Sequence, residues 1–476
     1  MKKLLLFVLL CSCFSLFAYG QDQAGESTVD SGEAAGGVED TASERRSSRA
    51  AFFSGEGAAL STGKRESRRY FELEIADFSL GLNGIGLGKF LDGSFLDFGD
   101  LNVDGMPGFK GGVRLFANPV KFRVSIGNTF NLDFFTGAQT DIFVNLPKKT
   151  TDSLSRLMEI SNEKPPGYNG GTPTSGEESK YENELDNYIN SLTGVDATMS
   201  AGAGAFIELG MGGSKTLLND RLWVRVAPSL FFTLLYMKND EVRLTGYENK
   251  QNKKYGLRGE GEMTLYSAWD LSEEVNPFAS PGVDLTLEAC YALWSVLDAG
   301  ISVSHIPIVP STLRHSKSLD MSKITMTVDG DLKKVAQNPN KTVDFNVPEL
   351  DSIFEDGQDD NKKVTRPVRF DFYTLYKPFK SPILVIRPNV GATLNTLAGT
   401  SMFNWGVNIQ FNAPLIFSAF IGTGLTEGTW SNRAGIGLDF RAFEFDIGAG
   451  LAAPTFAESF SIKRGFEVAI GFKAGF

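Results

Sequence analysis

The stretch that decides the fold is "LWVRVAPSLFFTLLY", residues 222–236. Leu222, Val224, Val226, Pro228, Leu230, Phe232, Leu234 and Tyr236 fall on every second position. Side chains alternate across an extended chain, so these eight share one face of a strand. Strands of soluble proteins usually run about 5–6 residues, whereas a tilted strand that crosses a bilayer needs about 9–11. An alternation from 222 to 236 fits the second case.

The same texture runs outward from there. "KFRVSIGNTFNLDFF" sets Phe122, Val124, Ile126, Asn128, Phe130, Leu132 and Phe134 against Arg123, Ser125, Gly127, Thr129, Asn131 and Asp133. "PVRFDFYTLY" aligns Val368, Phe370, Phe372, Thr374 and Tyr376. "MFNWGVNIQFN" sets Phe403, Trp405, Val407, Ile409 and Phe411 against Asn404, Gly406, Asn408, Gln410 and Asn412, and "FEFDIGAGL" aligns Phe443, Phe445, Ile447, Ala449 and Leu451. One face is large and apolar, as lipid requires; the other is small and polar, as a water-facing lumen requires. Pro228 and Pro388 lie inside such runs. Proline cannot donate to a ladder, so each is expected near a barrel rim or at a bulge.

Short connections at 116–122, 376–383, 411–417 and 441–445 contrast with long ones at about 137–196, 237–257 and 307–366. Short turns on one side and long loops on the other mark an outer-membrane barrel. The fold class expected is all-β: a transmembrane antiparallel β-barrel of about 14 strands, within a range of 12–16, carrying a small helical insert.

Composition agrees. The chain has 38 Phe and 51 Gly, and aromatics make up 12% of it. Such a chain favours many strands over helices. The net charge of -11 argues against nucleic acid as a partner.

The start, "MKKLLLFVLLCSCFSLFAYGQDQ", has a basic pair, an apolar run too short for a membrane helix, and the A-x-A-like site Ala18-Tyr19-Gly20. It reads as a secretory signal over 1–20, cut before Gln21. A lipoprotein signal cut before Cys13 competes with it, although the apolar run continues past that residue. Removal before Gln21 leaves only Cys290, so no internal disulfide is expected. Residues 21–68 are rich in Gly, Ser, Ala and Glu and read as a disordered linker. The barrel is expected over 69–476, with a helical loop insert at 141–196 and a long loop at 307–366.

In the insert, Leu154, Leu157 and Met158, then Tyr181, Leu185, Tyr188, Ile189 and Leu192, stand at helical spacing. Two amphipathic helices follow, as a cap on the rim or as a lid over an entry. The chain closes on "GFEVAIGFKAGF". Its alternating Phe466, Val468, Ile470 and Phe472, with the terminal Phe476, resemble the C-terminal signal that the bacterial barrel-assembly machinery reads. That machinery and outer-membrane lipid are the expected partners.

Chemistry-bearing motifs are scarce. The two histidines, His305 and His315, have no metal-ligand spacing and no nucleophile set around them. "GLNGIGLG" at 81–88 lacks a dinucleotide fingerprint. "DSIFEDGQDDNKK" at 351–363 lacks calcium-loop spacing and reads as a solvated loop, and "NKT" at 340–342 is a glycan sequon by pattern only. Trp223, Trp269, Trp294, Trp405 and Trp430 suit interfacial girdles or ordinary strand positions. No enzyme activity, cofactor or metal is expected.

The layout over roughly residues 70–476 resembles a group of uncharacterised outer-membrane β-barrels known from spirochaetes among others. It is distantly similar to the long-chain fatty acid transporter (FadL-like) family. "FFTGAQTDIFVNLPKKTTDSLSRLMEI" as strand and helical insert, "PGVDLTLEACYALWSVLDAGISVSHI" as a hairpin and the terminal Phe476 carry the resemblance. The transporter family implies a barrel with an N-terminal plug and a hydrophobic small-molecule ligand. Residues 77–107 are then either a plug or the first strands. Two functions follow: a channel or transporter for small solutes, hydrophobic ones included, or a surface adhesin or structural barrel acting through its loops. A lumen plugged by bulky side chains favours the second; a continuous apolar path or an open lumen favours the first.

Overall fold

The computed structural model describes residues 71–83, 108–126, 130–150, 194, 196–219, 221–249, 254–270, 276–320, 322, 325–329, 343–346, 354–356, 361–380, 383–395, 402–413, 417–440, 442–462 and 464–475. The signal segment with Ala18, Gly20 and Gln21, the 21–68 linker, both helices read in the insert, the sequon and Phe476 lie outside them.

The chain forms a closed antiparallel barrel of 14 strands. They are β1 (Phe71–Asn83), β2 (Gly108–Ile126), β3 (Phe130–Pro147), β4 (Asp196–Leu217), β5 (Leu222–Asn249), β6 (Pro281–Trp294), β7 (Leu297–Val309), β8 (Val368–Tyr376), β9 (Leu384–Leu394), β10 (Met402–Asn412), β11 (Phe417–Thr426), β12 (Thr429–Asp439), β13 (Phe443–Ala453) and β14 (Gly465–Gly475). Each pairs with its sequence neighbours, and β14 returns to β1 with Glu72 opposite Gly475 and Asn83 opposite Gly465. Closure removes every free edge, which is the condition for crossing a bilayer with strands. Phe466, Val468, Ile470 and Phe472 therefore belong to the closing strand.

Alternation sorts the faces as the sequence predicts, except that a register shift in β5 between Thr233 and Leu235 turns Tyr236 away from the face of Leu230. Val226, Leu230, Phe134, Phe372, Phe403, Ile421 and Phe445 point out and are exposed, while Arg225, Ser229, Asp133, Asp371, Asn404 and Asp446 point in and are buried. An apolar outside around a charged inside places the barrel in a membrane. No helix among the described residues is long and apolar enough to cross one. The connections at 127–129, 218–221, 295–296, 377–383, 413–416 and 440–442 join strand ends on the side where β1 starts and β14 stops; those at 84–107, 148–195, 250–280 and 310–367 leave from the other side. One tight turn there is Glu427-Gly428, with φ of 49° and 78° between Thr426 and Thr429. Positive φ at both central residues matches the right-handed twist of the flanking strands.

Several expectations need correction. The supposed turn at 116–122 lies inside β2, as a bulge between Ala117 and Lys121. There Thr136 Oγ1 accepts the Val120 N–H at 3.2 Å and donates to the Val120 carbonyl at 3.1 Å, so the hydroxyl replaces a strand partner beside Pro119. The alternation across "KFRVSIGNTFNLDFF" is not one strand: β2 ends at Ile126 and β3 starts at Phe130. Turn residues here happen to keep the period. The insert read as 141–196 begins later, because β3 continues to Pro147 and only 148–150 are helical before residue 151. The long connection read at 237–257 begins later too, because β5 runs on to Asn249. Of the candidate plug at 77–107, residues 77–83 belong to β1 and the rest lie outside the described residues.

Pro228 and Pro388 sit at neither rim nor bulge. Each pairs on one side, with Leu285 of β6 and Val407 of β10, and interrupts the ladder on its other side without shifting the register. The missing N–H costs bonds on one side only.

β4 and β5 run on beyond the barrel, 22 and 28 residues long. Short strands at Lys254–Glu260, Glu262–Ser267, His315–Asp320, Thr325–Asp329, Val343–Asn346 and Phe354–Asp356 extend the sheet around them. The acidic segment at 351–363 thus contributes one of these strands and then enters the lumen.

Candidate functional site

The lumen face is where this barrel differs from a water-filled pore. Large aromatics stand inside it, each against a glycine on the next strand: Phe135 opposite Gly210, Phe231 opposite Gly282, Tyr373 opposite Gly300 and Phe420 opposite Gly435. A Cβ at these glycines would come within 2.1, 2.4, 2.3 and 2.3 Å of the ring atoms, so any side chain there collides with the ring. The rings lie flat over bare backbone, which covers the exposed peptide and narrows the bore. This pairing gives a use to the abundant Gly and Phe. It also corrects the reading of a small polar inner face.

Buried ion bridges tie the strands together below and beside these rings. Arg225 on β5 is 2% exposed. Its Nη2 donates to Asp133 Oδ2 on β3 at 2.5 Å, and its Nη1 donates to Glu288 Oε1 on β6 at 2.7 Å. Its guanidinium lies 5.6 Å from the Phe135 ring centre. On the short-turn side, Trp223, Cys290, Tyr373, Leu375 and Val385 form an apolar cluster inside the bore. Trp223 is therefore a lumen residue and no girdle. Trp405 and Trp430 meet edge to face at 5.2 Å, and Phe456 continues the row.

The other closure comes from the β7–β8 connection, which folds inward. Ser311–Leu313 and Lys362–Val364 pair as a two-stranded ladder of their own, outside the barrel hydrogen bonding. Leu313, 0% exposed, and Val364 pack with Phe206 of β4, Phe231 of β5 and Ala268, with Tyr236, Tyr266 and Trp269 around them. Serines anchor the base: Ser280 Oγ donates to the Thr312 carbonyl at 2.6 Å, and Ser311 Oγ donates to the Ser280 carbonyl at 2.9 Å.

Arg366, just before β8, locks this plug to the wall. Its Nε donates to Asp284 Oδ2 at 2.7 Å, and its Nη2 donates to Asp284 Oδ1 and Ser229 Oγ, both at 2.9 Å. Its Nη1 pairs with Glu208 of β4, and its guanidinium lies over the Phe231 ring at 5.3 Å. A fork between two carboxylates, stacked on an aromatic, uses every property that separates arginine from lysine. His305 lies beside it. A bulge in β7 and a φ of 58° turn its ring toward Arg366, with Nδ1 3.2 Å from the Pro367 carbonyl. A small cavity between Gln139, Glu208, His305 and Arg366 separates the plug from β3.

A third bridge closes the far side. Arg114 of β2 donates from Nε to Asp141 Oδ1 at 2.8 Å and pairs with Glu427 in the β11–β12 turn. Burial would raise the Glu427 carboxyl, but the Arg114 guanidinium against it, helped by Arg369, holds it below the ordinary carboxylate range.

Among the described residues, no group of three or more His, Cys, Asp or Glu could hold a metal. His305 lines the lumen, whereas His315 opens an outer strand opposite Ser267. The sequence reading missed Arg225, Glu288, Asp284, Glu208 and Arg366. Asp133, Arg225, Asp284 and Glu288 all occupy inward positions of alternating strands, and that was the available signal.

The fold and lumen define a class: a transmembrane β-barrel of the bacterial outer membrane whose bore is occluded by its own side chains and by an inward-folded loop. No protein-family model matches the chain, and no curated protein sequence matches it. Solved structures similar to it include a Pseudomonas aeruginosa FadL homologue, at 10% identity over 91% of this chain and 97% of that one, with a TM-score of 0.40. The Pseudomonas putida toluene transporter TodX is similar at 8% identity over 92% and 96%, with a TM-score of 0.39. The Ralstonia pickettii toluene transporter TbuX is similar at 8% identity over 86% and 89%, also at 0.39.

Proposed function

We propose that the protein is a gated outer-membrane channel for small, hydrophobic solutes, held shut by the ladder of 311–313 and 362–364. The observation that carries this reading is the construction of the plug. Its interior contact is apolar, through Leu313 and Val364 on Phe206 and Phe231, and one guanidinium supplies its ionic attachment to Glu208 and Asp284. A piece held by a small apolar contact, two serine hydrogen bonds and one arginine can leave without unfolding the barrel. Among the surface it uncovers are the Phe206 and Phe231 rings, which suit an apolar solute.

A second reading has its own observation. The bridges of Arg225 and Arg114 and the Trp223 cluster stiffen a bore that a conduit would leave clear, and the sheet extended around β4 and β5 offers a surface outside the membrane. That combination suits an adhesin or structural barrel. Uptake of a radiolabelled apolar solute into proteoliposomes separates the two. Saturable uptake that rises when the plug is unlatched supports the channel. Uptake equal to empty vesicles, with and without the plug, refutes it.

A further inference from the structure

Most arginines placed in or against the bore have an acid. Arg114 meets Asp141 and Glu427, Arg225 meets Asp133 and Glu288, Arg366 meets Glu208 and Asp284, and Arg369 meets Asp371. Weaker contacts join Arg123 to Glu72, and Arg433 bonds to Ser431. Arg387 of β9 breaks the pattern. It is 5% exposed, it points inward between the outward Ile386 and Pro388, and among the described residues no carboxylate pairs with it. Its Nη1 is buried without a hydrogen-bond partner. Its guanidinium lies 4.6 Å from the Tyr373 ring centre, so one face is covered and the donors lie along the edge.

A buried cation with idle donors is costly, and proteins resolve that cost by pairing it. Arg387 borders the apolar cluster of Tyr373, Leu375 and Val385 on one side, and polar side chains on the other. Asn408 stands opposite it on β10, and Asn389 follows it on the same face of β9. Asn389 Oδ1 lies 2.8 Å from where a Gly406 Cβ would be, and Asn408 Oδ1 lies 2.1 Å from where a Gly422 Cβ would be. Both amides thus lean over bare glycines.

We infer that Arg387, with Asn389 and Asn408, forms a binding subsite in the bore for a planar carboxylate. Two parallel N–H groups on a guanidinium edge match the two oxygens of a carboxylate, which a spherical halide cannot use. The Tyr373 ring holds the fork in plane, and the asparagine amides supply further hydrogen bonds. The carboxylate belongs to a free small ion or to the end of an aromatic acid; the chemistry at Arg387 is the same. The subsite is read by equilibrium binding without flux, so it stands or falls apart from the channel reading.

The test is saturation-transfer NMR on the full barrel, folded in deuterated detergent, with acetate and benzoate as separate probes. A heat-modifiability gel first shows that each variant is folded. Wild type should transfer saturation to the acetate methyl, unchanged by added chloride, and Arg387→Gln should abolish it. Arg387→Lys keeps the charge, loses the fork, and should weaken binding about tenfold. It keeps the test open if Arg387→Gln does not fold. Benzoate bound more tightly than acetate assigns the subsite to an aromatic acid, and equal binding assigns it to the free ion. No transfer in wild type, or equal transfer in wild type and both variants, overturns the proposal.

Discussion

Replacing Arg366 by methionine should unlatch the plug. The guanidinium lies between Glu208 and Asp284 and also donates to Ser229. Without it, two carboxylates remain buried beside a side chain that cannot pair with them. Removing one partner of a buried pair costs about 3–5 kcal/mol. Release of the 311–313 and 362–364 ladder rehydrates both acids, so the cost falls on the docked state. The opposing term, burial of Leu313 and Val364 at roughly 1.5–3 kcal/mol each, is unchanged. The ratio of released to docked plug should therefore rise by about a hundredfold to a few thousandfold. Ser311 is 0% exposed and reports on this. Ser311→Cys in a Cys290→Ala background should react with a polar maleimide at a rate set by the released fraction. Arg366→Met should raise that rate by about two orders of magnitude or more. Adding Glu208→Gln and Asp284→Asn should bring it most of the way back, because a site stripped of all charges has nothing left to rehydrate. Equal labelling of wild type and Arg366→Met, with both barrels folded, refutes the latch. So does a triple variant as reactive as the single one.

Other outcomes follow from the same structure. Arg225→Met should lower the heat-modifiability midpoint, with a cost of about 3–5 kcal/mol in urea titration, and the further changes Asp133→Asn and Glu288→Gln should recover much of it. Gly210→Val sets a side chain where the Phe135 ring lies and should cost about 1–3 kcal/mol or reduce folded yield, with a second change, Phe135→Ala, relieving the collision. The Arg114–Glu427 bridge contributes stability above the ordinary carboxylate value of 4.5 and loses it as pH falls through the lower folded value. Glu427→Gln should therefore flatten the acid side of the wild-type stability profile, measured by midpoint against pH.

Much of the barrel was legible because its physics is local. Lipid on one side and polar surroundings on the other write a period of two into "LWVRVAPSLFFTLLY" and "MFNWGVNIQFN", and the strand count followed from those runs. Boundaries were harder where a bulge around Pro119 reads as a turn, and where the connection at 127–129 keeps the period of the strands beside it. The lumen was least legible. Tyr373 covers Gly300 and Phe231 covers Gly282 from strands whose pairing no local pattern states. Arg366 lies 158 positions from Glu208 and 82 from Asp284. Its segment reads as loop, and only the inward fold of the connection gives it partners. Asp133, Arg225 and Glu288 could have been singled out as charges on inward positions, but which of them meet depends on strand register.

The most direct test of the gate is single-channel recording in planar bilayers. Wild type is compared with a variant in which a short Gly-Ser linker replaces 310–365, both shown to be folded by gel. Wild type should be silent or give rare brief steps, and the variant should give sustained, discrete steps. A variant as silent as wild type, or a wild type already open without interruption, contradicts the gate.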